Sequence, residues 1–128
     1  MRVLLANTQP KVRSALRLLL TQNSAFVVVG EAADATGLLL AVAQKKPALI
    51  LLDWELPGLP PAYLLRLLRG ERAAMRILAL SSRPEVRATA LAAGADGFIN
   101  KTDPPEKVFA EIEKVAIIIS DDGTEGVK

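Results

Sequence analysis

The sequence predicts a doubly wound parallel α/β domain, a (βα)5 chain whose five strands form one sheet with helices on both faces. Three observations carry this. Short apolar runs of strand length alternate with longer segments whose apolar residues recur at helical spacing. The central run, ALILL at 48–52, is apolar throughout, as a strand covered on both faces must be. Four of the five predicted helices open at a proline, where the missing N–H costs nothing.

The elements follow in order. VLL (3–5) is the first strand, and Pro10 opens the first helix. In that helix Val12, Ala15, Leu16, Leu19 and Leu20 fall on one face, with Lys11, Arg13 and Arg17 outward. FVVVG (26–30) is the second strand, and a helix over about 36–45 leads to ALILL. A third helix over about 61–69 is closed by Gly70, before the strand RILAL (76–80). The fourth helix, about 84–93, is stopped by Gly94 and followed by GFIN (97–100). The last starts near Pro104 and Pro105 and carries Val108, Ile112, Val115, Ala116 and Ile119 on one face. After Ser120 the composition turns polar in DDGTEGVK, so residues 1–120 read as one domain and 121–128 as a polar tail.

Composition removes several function classes. The 128 residues contain no cysteine and no histidine, which excludes disulfides, thiolate metal sites and catalysis through Ser-His or Cys-His pairs. Sixteen basic against fourteen acidic residues leave a charge of +2, and the bases are scattered, so nucleic acid is not an expected partner of this domain alone. No apolar run approaches the ~18 residues that span a bilayer. The N-terminal MRVLLANTQP turns polar too early for a signal peptide, so a soluble cytoplasmic protein without a membrane partner is expected.

In parallel sheets ligands bind at the carboxyl ends of the strands, so the strand tips are where chemistry is expected. Strand one ends in Asn7 and Thr8, strand three in Asp53, strand four in Ser81 and Ser82, and strand five in Asn100 and Lys101. Singly, Asp53 reads as a turn cap, Lys101 as a solvated lysine and the serines as a loop start. Together they bring a carboxylate, hydroxyls and an ammonium to one edge. No GxGxxG or GxxxxGK[ST] motif is present, so a nucleotide-binding or enzymatic role on this flavodoxin-like sheet finds no support, and the chain is not expected to be an enzyme.

The order of these residues resembles the receiver domain of bacterial response regulators, the CheY-like fold, over about residues 2–119. The most specific pieces are ILLDWELPG (50–58), ILALSS (77–82) and AAGADGFINK (92–101). The resemblance implies that Asp53 is the phosphoacceptor for a sensor histidine kinase. It implies too that Ser81, with Ser82 beside it, and Lys101 hold phosphoryl oxygens, and that Ser81 and Phe98 form the switch. GEAAD (30–34) and the KTDPPE approach to the last helix (101–106) resemble regulators carrying a helix-turn-helix output domain; none follows within these 128 residues.

One departure matters. The family places two acidic residues after strand one, and these bind the Mg²⁺ that phosphoryl transfer needs; here the positions are Asn7 and Thr8. At ~4 Å and an effective dielectric near 20, each lost carboxylate removes about 4 kcal/mol of attraction before desolvation. Asp53, the Asn7 amide and Glu55, through its carbonyl or side chain, are left as ligands for a weakly held Mg²⁺. Two readings therefore stand side by side. One is a receiver phosphorylated weakly or not at all. The other is a pseudo-receiver, which binds a signalling protein or a second copy of itself independently of phosphorylation. Phe109, Ile117 and Ile118, apolar beyond the core stripe of the last helix, are the expected partner surface, unless they pack within the chain.

Overall fold

The computed structural model of the chain describes residues 1–127, with side-chain surroundings for residues 1–116. Its elements are β1 (Arg2–Ala6), α1 (Pro10–Leu20), β2 (Val27–Ala32), α2 (Ala35–Lys45), β3 (Leu49–Asp53), α3 (Pro61–Glu71), β4 (Arg76–Ser81), α4 (Val86–Ala92), β5 (Gly97–Asn100) and α5 (Pro105–Val127). The strands form one parallel sheet in the order β2-β1-β3-β4-β5.

Alternation along the strands builds a core on each face. Val3, Leu5, Leu49, Leu51, Leu78 and Leu80 pack with Leu16, Leu19 and Leu20 of α1 and Val108, Ile112 and Val115 of α5. The intervening residues Leu4, Ala6, Ile50, Leu52, Ile77 and Ala79 pack with residues of α2, α3 and α4 such as Leu38, Leu64, Leu68 and Ala90. Burying each large aliphatic side chain contributes roughly 1.5–3 kcal/mol, so β3, buried at all five positions, anchors both layers.

Several boundaries differ from the expectation: α3 runs through Gly70 to Glu71, closed by Arg72 N–H on the Leu68 carbonyl at 3.0 Å, and three others have a local reason. β2 runs on through Glu31 and Ala32, which pair with Leu5 and Ala6 after a register shift between Val3 and Leu4. Val3 faces Val28 while Leu4 faces Gly30, so Val29 is the extra residue of a bulge. α4 begins at Val86, because the residues after β4 form a tight turn, with Val86 N–H donating to the Arg83 carbonyl and Arg87 N–H to that of Pro84. α5 continues to Val127, past the point where a polar tail is expected; Gly123 and Gly126 lower helix propensity by only about 1 kcal/mol each relative to alanine. Among the described residues, no helix is long and apolar enough to cross a membrane.

The loops that carry the strand tips are fastened to neighbouring elements. Asp34 caps α2 by accepting from Gly37 N–H at 2.7 Å, and the next residue, Ala35, donates its N–H to the Pro57 carbonyl at 2.9 Å. The loop after β3 is thereby held against the start of α2. Gly58 in that loop has φ +114°, and a Cβ there would meet the Ala35 Cβ at 3.0 Å and its N at 3.3 Å. Farther along, Asp96 accepts from Arg69 at 2.6 Å and from Ile77 N–H at 2.8 Å, tying α3 and β4 to the start of β5.

Gly58→Ala should therefore destabilise the fold by about 1–3 kcal/mol, through backbone strain and contact with Ala35. A denaturant midpoint that falls with an unchanged slope checks this.

Candidate functional site

Asp53 is the residue at which β3 leaves the sheet, and it stays buried, 4% exposed. Its Oδ1 accepts from Glu55 N–H at 3.0 Å and pairs with Lys101 Nζ at 3.0 Å. Two backbone bonds align the tips. Trp54 N–H donates to the Leu80 carbonyl at 2.8 Å, and Lys101 N–H to the Ser81 carbonyl at 3.0 Å. The tips of β3, β4 and β5 are thus locked in register, which sets the lysine beside the carboxylate.

Ser81 is fully buried, and its Oγ accepts from Arg83 N–H at 3.1 Å. The hydroxyl faces the Glu55 carboxylate, at 3.3 and 3.4 Å from its two oxygens. Arg83 closes on the same carboxylate with Nη2 at 3.0 Å, and Lys101 Nζ stands 4.0 Å from it. Asp53, Glu55, Ser81 and Lys101 are therefore brought together. Ser82, the next residue, is exposed. Arg83 joins the cluster although the sequence reading does not include it; its position two residues beyond Ser81 is the available signal.

At the tip of β1, Asn7 is buried and Thr8 exposed. Asn7 Oδ1 accepts from Gln9 N–H at 2.8 Å, and its Nδ2 is a buried donor with no hydrogen-bond partner. Among the described residues no group of three or more His, Cys, Asp or Glu side chains is placed to hold a metal ion. Beside this tip Arg13 Nη1 donates to the Asn7 carbonyl at 2.5 Å, and Arg13 and Arg17 both pair with Glu31, at 2.7 and 2.6 Å. The bond from Arg17 above all, helped by that from Arg13 and by the charge of both, lowers the pKa of the Glu31 carboxyl against the opposing effect of burial.

Phe98 is buried, and with Asn100, Arg87 and Lys107 it borders a cavity of about 220 Å³ between α4, β5 and α5. Phe109, expected on a partner face, is half-buried. It packs edge-on against Phe26, with ring centroids 6.2 Å apart, because the start of β2 lies within its reach. The side chains of Ile117 and Ile118 lie outside the described residues. The larger open apolar surface is a groove of about 540 Å³ between α1 and α5, floored by Leu16, Leu80 and Ile99 and bordered by Leu18 and Lys101. Leu18 is 72% exposed. The run LRLLL (16–20) carries more leucines than one helix face can bury, which was its signal in the sequence.

A parallel five-stranded sheet that gathers a buried carboxylate, a hydroxyl and a lysine from adjacent strand tips defines an α/β domain whose chemistry lies at the carboxyl edge. The chain belongs to the response regulator receiver domain family, which matches residues 3–113. It is 31% identical over 116 residues to the probable transcriptional regulatory protein SgaR of Hyphomicrobium methylovorum, covering 89% of this chain and 55% of that protein. The identity is also 31% over 116 residues to the nitrate/nitrite response regulator NarL of Escherichia coli K12, with 89% and 54% covered. A solved LuxR-family two-component response regulator from an Aurantimonas species superposes with a TM-score of 0.81 at 27% identity, over 94% of this chain and 85% of that one. The chain spans about half the length of the curated relatives it matches. It is a receiver domain of a two-component system. Receiver domains interact with histidine kinases and generally bind Mg²⁺ at the phosphorylation site.

Two outcomes follow from this geometry. Lys101→Ala leaves the Asp53 carboxylate buried without its cation and should cost about 1–3 kcal/mol, measured by denaturant unfolding. Glu31, whose folded carboxyl titrates below its unfolded value, contributes stability present above the unfolded pKa and lost as pH falls through the folded one. Glu31→Gln should therefore lower stability near neutrality and flatten the acid limb of a stability–pH profile.

Proposed function

We propose that this receiver keeps its strand-three aspartate in an ion pair rather than at a metal centre. Asp53 is phosphorylated weakly or not at all, and the domain signals through protein contact, not as an enzyme. The observation that carries this is the Asp53–Lys101 pair at 3.0 Å beside a β1 tip that offers an amide in place of carboxylates. The donor set does not fit Mg²⁺, a hard cation that favours carboxylate oxygens. Asp53 is the single buried carboxylate among the described residues, its Oδ1 already neutralised by Lys101. Asn7 spends its oxygen on Gln9 N–H and turns a buried N–H donor, of the wrong polarity for a cation, to its surroundings.

In this reading Lys101 does the charge neutralisation that a divalent ion would otherwise share, and Ser81 remains a fixed hydroxyl at the same edge. The partner is a histidine kinase or another signalling protein, or a second copy of the chain. The groove between α1 and α5 supplies an apolar surface of the right kind, open beside Lys101.

The test uses Trp54, adjacent in sequence to Asp53, as a fluorescent reporter in titrations with Mg²⁺ and then beryllofluoride. The wild type should stay flat, and Asn7→Asp with Thr8→Asp should gain a saturable response. A saturable wild-type response deepened by beryllofluoride would overturn the reading. For the surface, Leu18→Glu should weaken association in a sedimentation or pull-down assay while Asp53→Ala leaves it unchanged.

A further inference from the structure

The groove between α1 and α5 carries polar side chains only at its two ends. Its floor is Leu16, Leu80 and Ile99, with Ala15 of α1 and Val108 of α5 along its sides. Lys11, Lys101 and Asp103 stand at the end nearer the strand tips, and Gln22 at the other, beyond the last turn of α1. From Lys11 to Gln22 the helix rise gives roughly 16 Å, long enough for an extended medium-chain alkyl group. The volume of about 540 Å³ lies within the roughly 300–1,000 Å³ of small-molecule sites, which are likewise apolar with a few polar groups that orient the ligand. The charges at the upper end do not balance. Lys101 is paired with Asp53 at 3.0 Å and Asp103 with Lys107 at 3.8 Å, whereas exposed Lys11 has no carboxylate within ion-pair distance among the described residues. Helix stability does not account for this lysine. It sits in the first turn of α1, where the positive end of the dipole disfavours a cation and no acidic residue answers it.

We propose that this groove binds a free single-chain amphiphile with an anionic head, a medium-chain carboxylate, its head beside Lys11 and its alkyl chain along Leu16, Leu80 and Ile99 towards Gln22. The apolar floor supplies the driving force, since each methylene it covers leaves water. The unmatched ammonium, reinforced by the positive end of α1, supplies the sign of the head. A second copy suits the groove less well, because a two-fold contact brings the same charges from both sides and leaves Lys11 unmatched on each. The groove is also the surface that the proposed function offers to a partner, and the inference rests on that reading in one respect: a bound amphiphile covers Leu16, Leu80 and Ile99 and so excludes the partner there.

The experiment is a calorimetric titration of the full chain with sodium decanoate below its micelle-forming concentration, with octanoate, dodecanoate and uncharged decanol beside it. Binding should be saturable and tighten roughly fourfold per added methylene from octanoate to dodecanoate. Lys11→Glu should weaken decanoate by about fivefold or more and leave decanol unchanged, which separates the head from the chain. Ala15→Trp, which fills the groove from an exposed position of α1, should weaken both ligands by at least about tenfold, and Ala15→Phe serves should that protein not fold. Amide resonances of residues 11, 15, 99 and 101 should move with decanoate in the wild type. The proposal is overturned by the lack of saturable uptake, by a Lys11→Glu variant that binds decanoate like the wild type, or by an affinity indifferent to bulk at Ala15. A dimer that closes the groove to decanoate overturns it as well. A Mg²⁺ response of the wild type would overturn the reading of Asp53 and leave this result standing, and a groove that refuses decanoate leaves that reading untouched.

Discussion

Strand β3 sets the terms for the rest of the molecule. It lies third of five in the sheet, hydrogen-bonded to β1 on one side and β4 on the other, with helices over both faces. No position from Leu49 to Leu52 can carry a polar group, and none does. The chain must regain polarity where the strand leaves the sheet, and that residue is Asp53. A carboxylate left there alone would be costly, because a buried charge without a partner loses hydration that nothing replaces. Lys101 supplies the partner from β5, two strands away, and the bond from its N–H to the Ser81 carbonyl fixes where the ammonium can reach. The site is thus a consequence of how the core is closed as much as an addition to it.

The same accounting of charge runs outward. Asp53 with Lys101 and Glu55 with Arg83 are locally balanced pairs at the carboxyl edge, while Glu31 with Arg13 and Arg17 forms a group of net positive charge beside them. The innermost pair is desolvated and shapes the site. The outer pairs are partly wet, where ion pairs contribute up to about 1 kcal/mol, so their role is to place groups more than to hold the fold. Arg13 illustrates this, since its guanidinium joins Glu31 of β2 to the Asn7 carbonyl of β1.

The sheet and the tips were legible in the sequence because both depend on short-range pattern. Alternation of Val3, Leu4 and Leu5 across the two faces, the apolar run before Asp53 and the glycine after α4 are each visible within a few residues. The meeting of Asp53, Ser81 and Lys101 followed from topology, which carries parallel strand ends to one edge. What escaped depends on partners distant in sequence. Nothing near Arg83 says that it will reach Glu55, and nothing near Asp96 says that it will meet Arg69. Phe109 has the spacing of a surface apolar residue, and only the approach of Phe26 turns it into packing. The bulge at Val29 is invisible for a related reason: a single extra residue leaves no mark in an unbroken run of valines.

The strand order also governs how the chain can fold. No two neighbouring strands are joined by a hairpin; every pairing in the sheet closes a crossover containing at least one helix. Non-local pairings of this kind must meet their loop-closure entropy before contact energy is returned, which slows folding relative to helical proteins. Emerging from the ribosome, β1, β2 and β3 can assemble first, with β1 already between its two neighbours. Asp53 then waits at the edge of a half-built sheet, since β5 and Lys101 arrive almost fifty residues later. Until that segment is made, Asp53 has no Lys101 to pair with, so the counterion of the central strand's carboxylate depends on the last strand of the sheet.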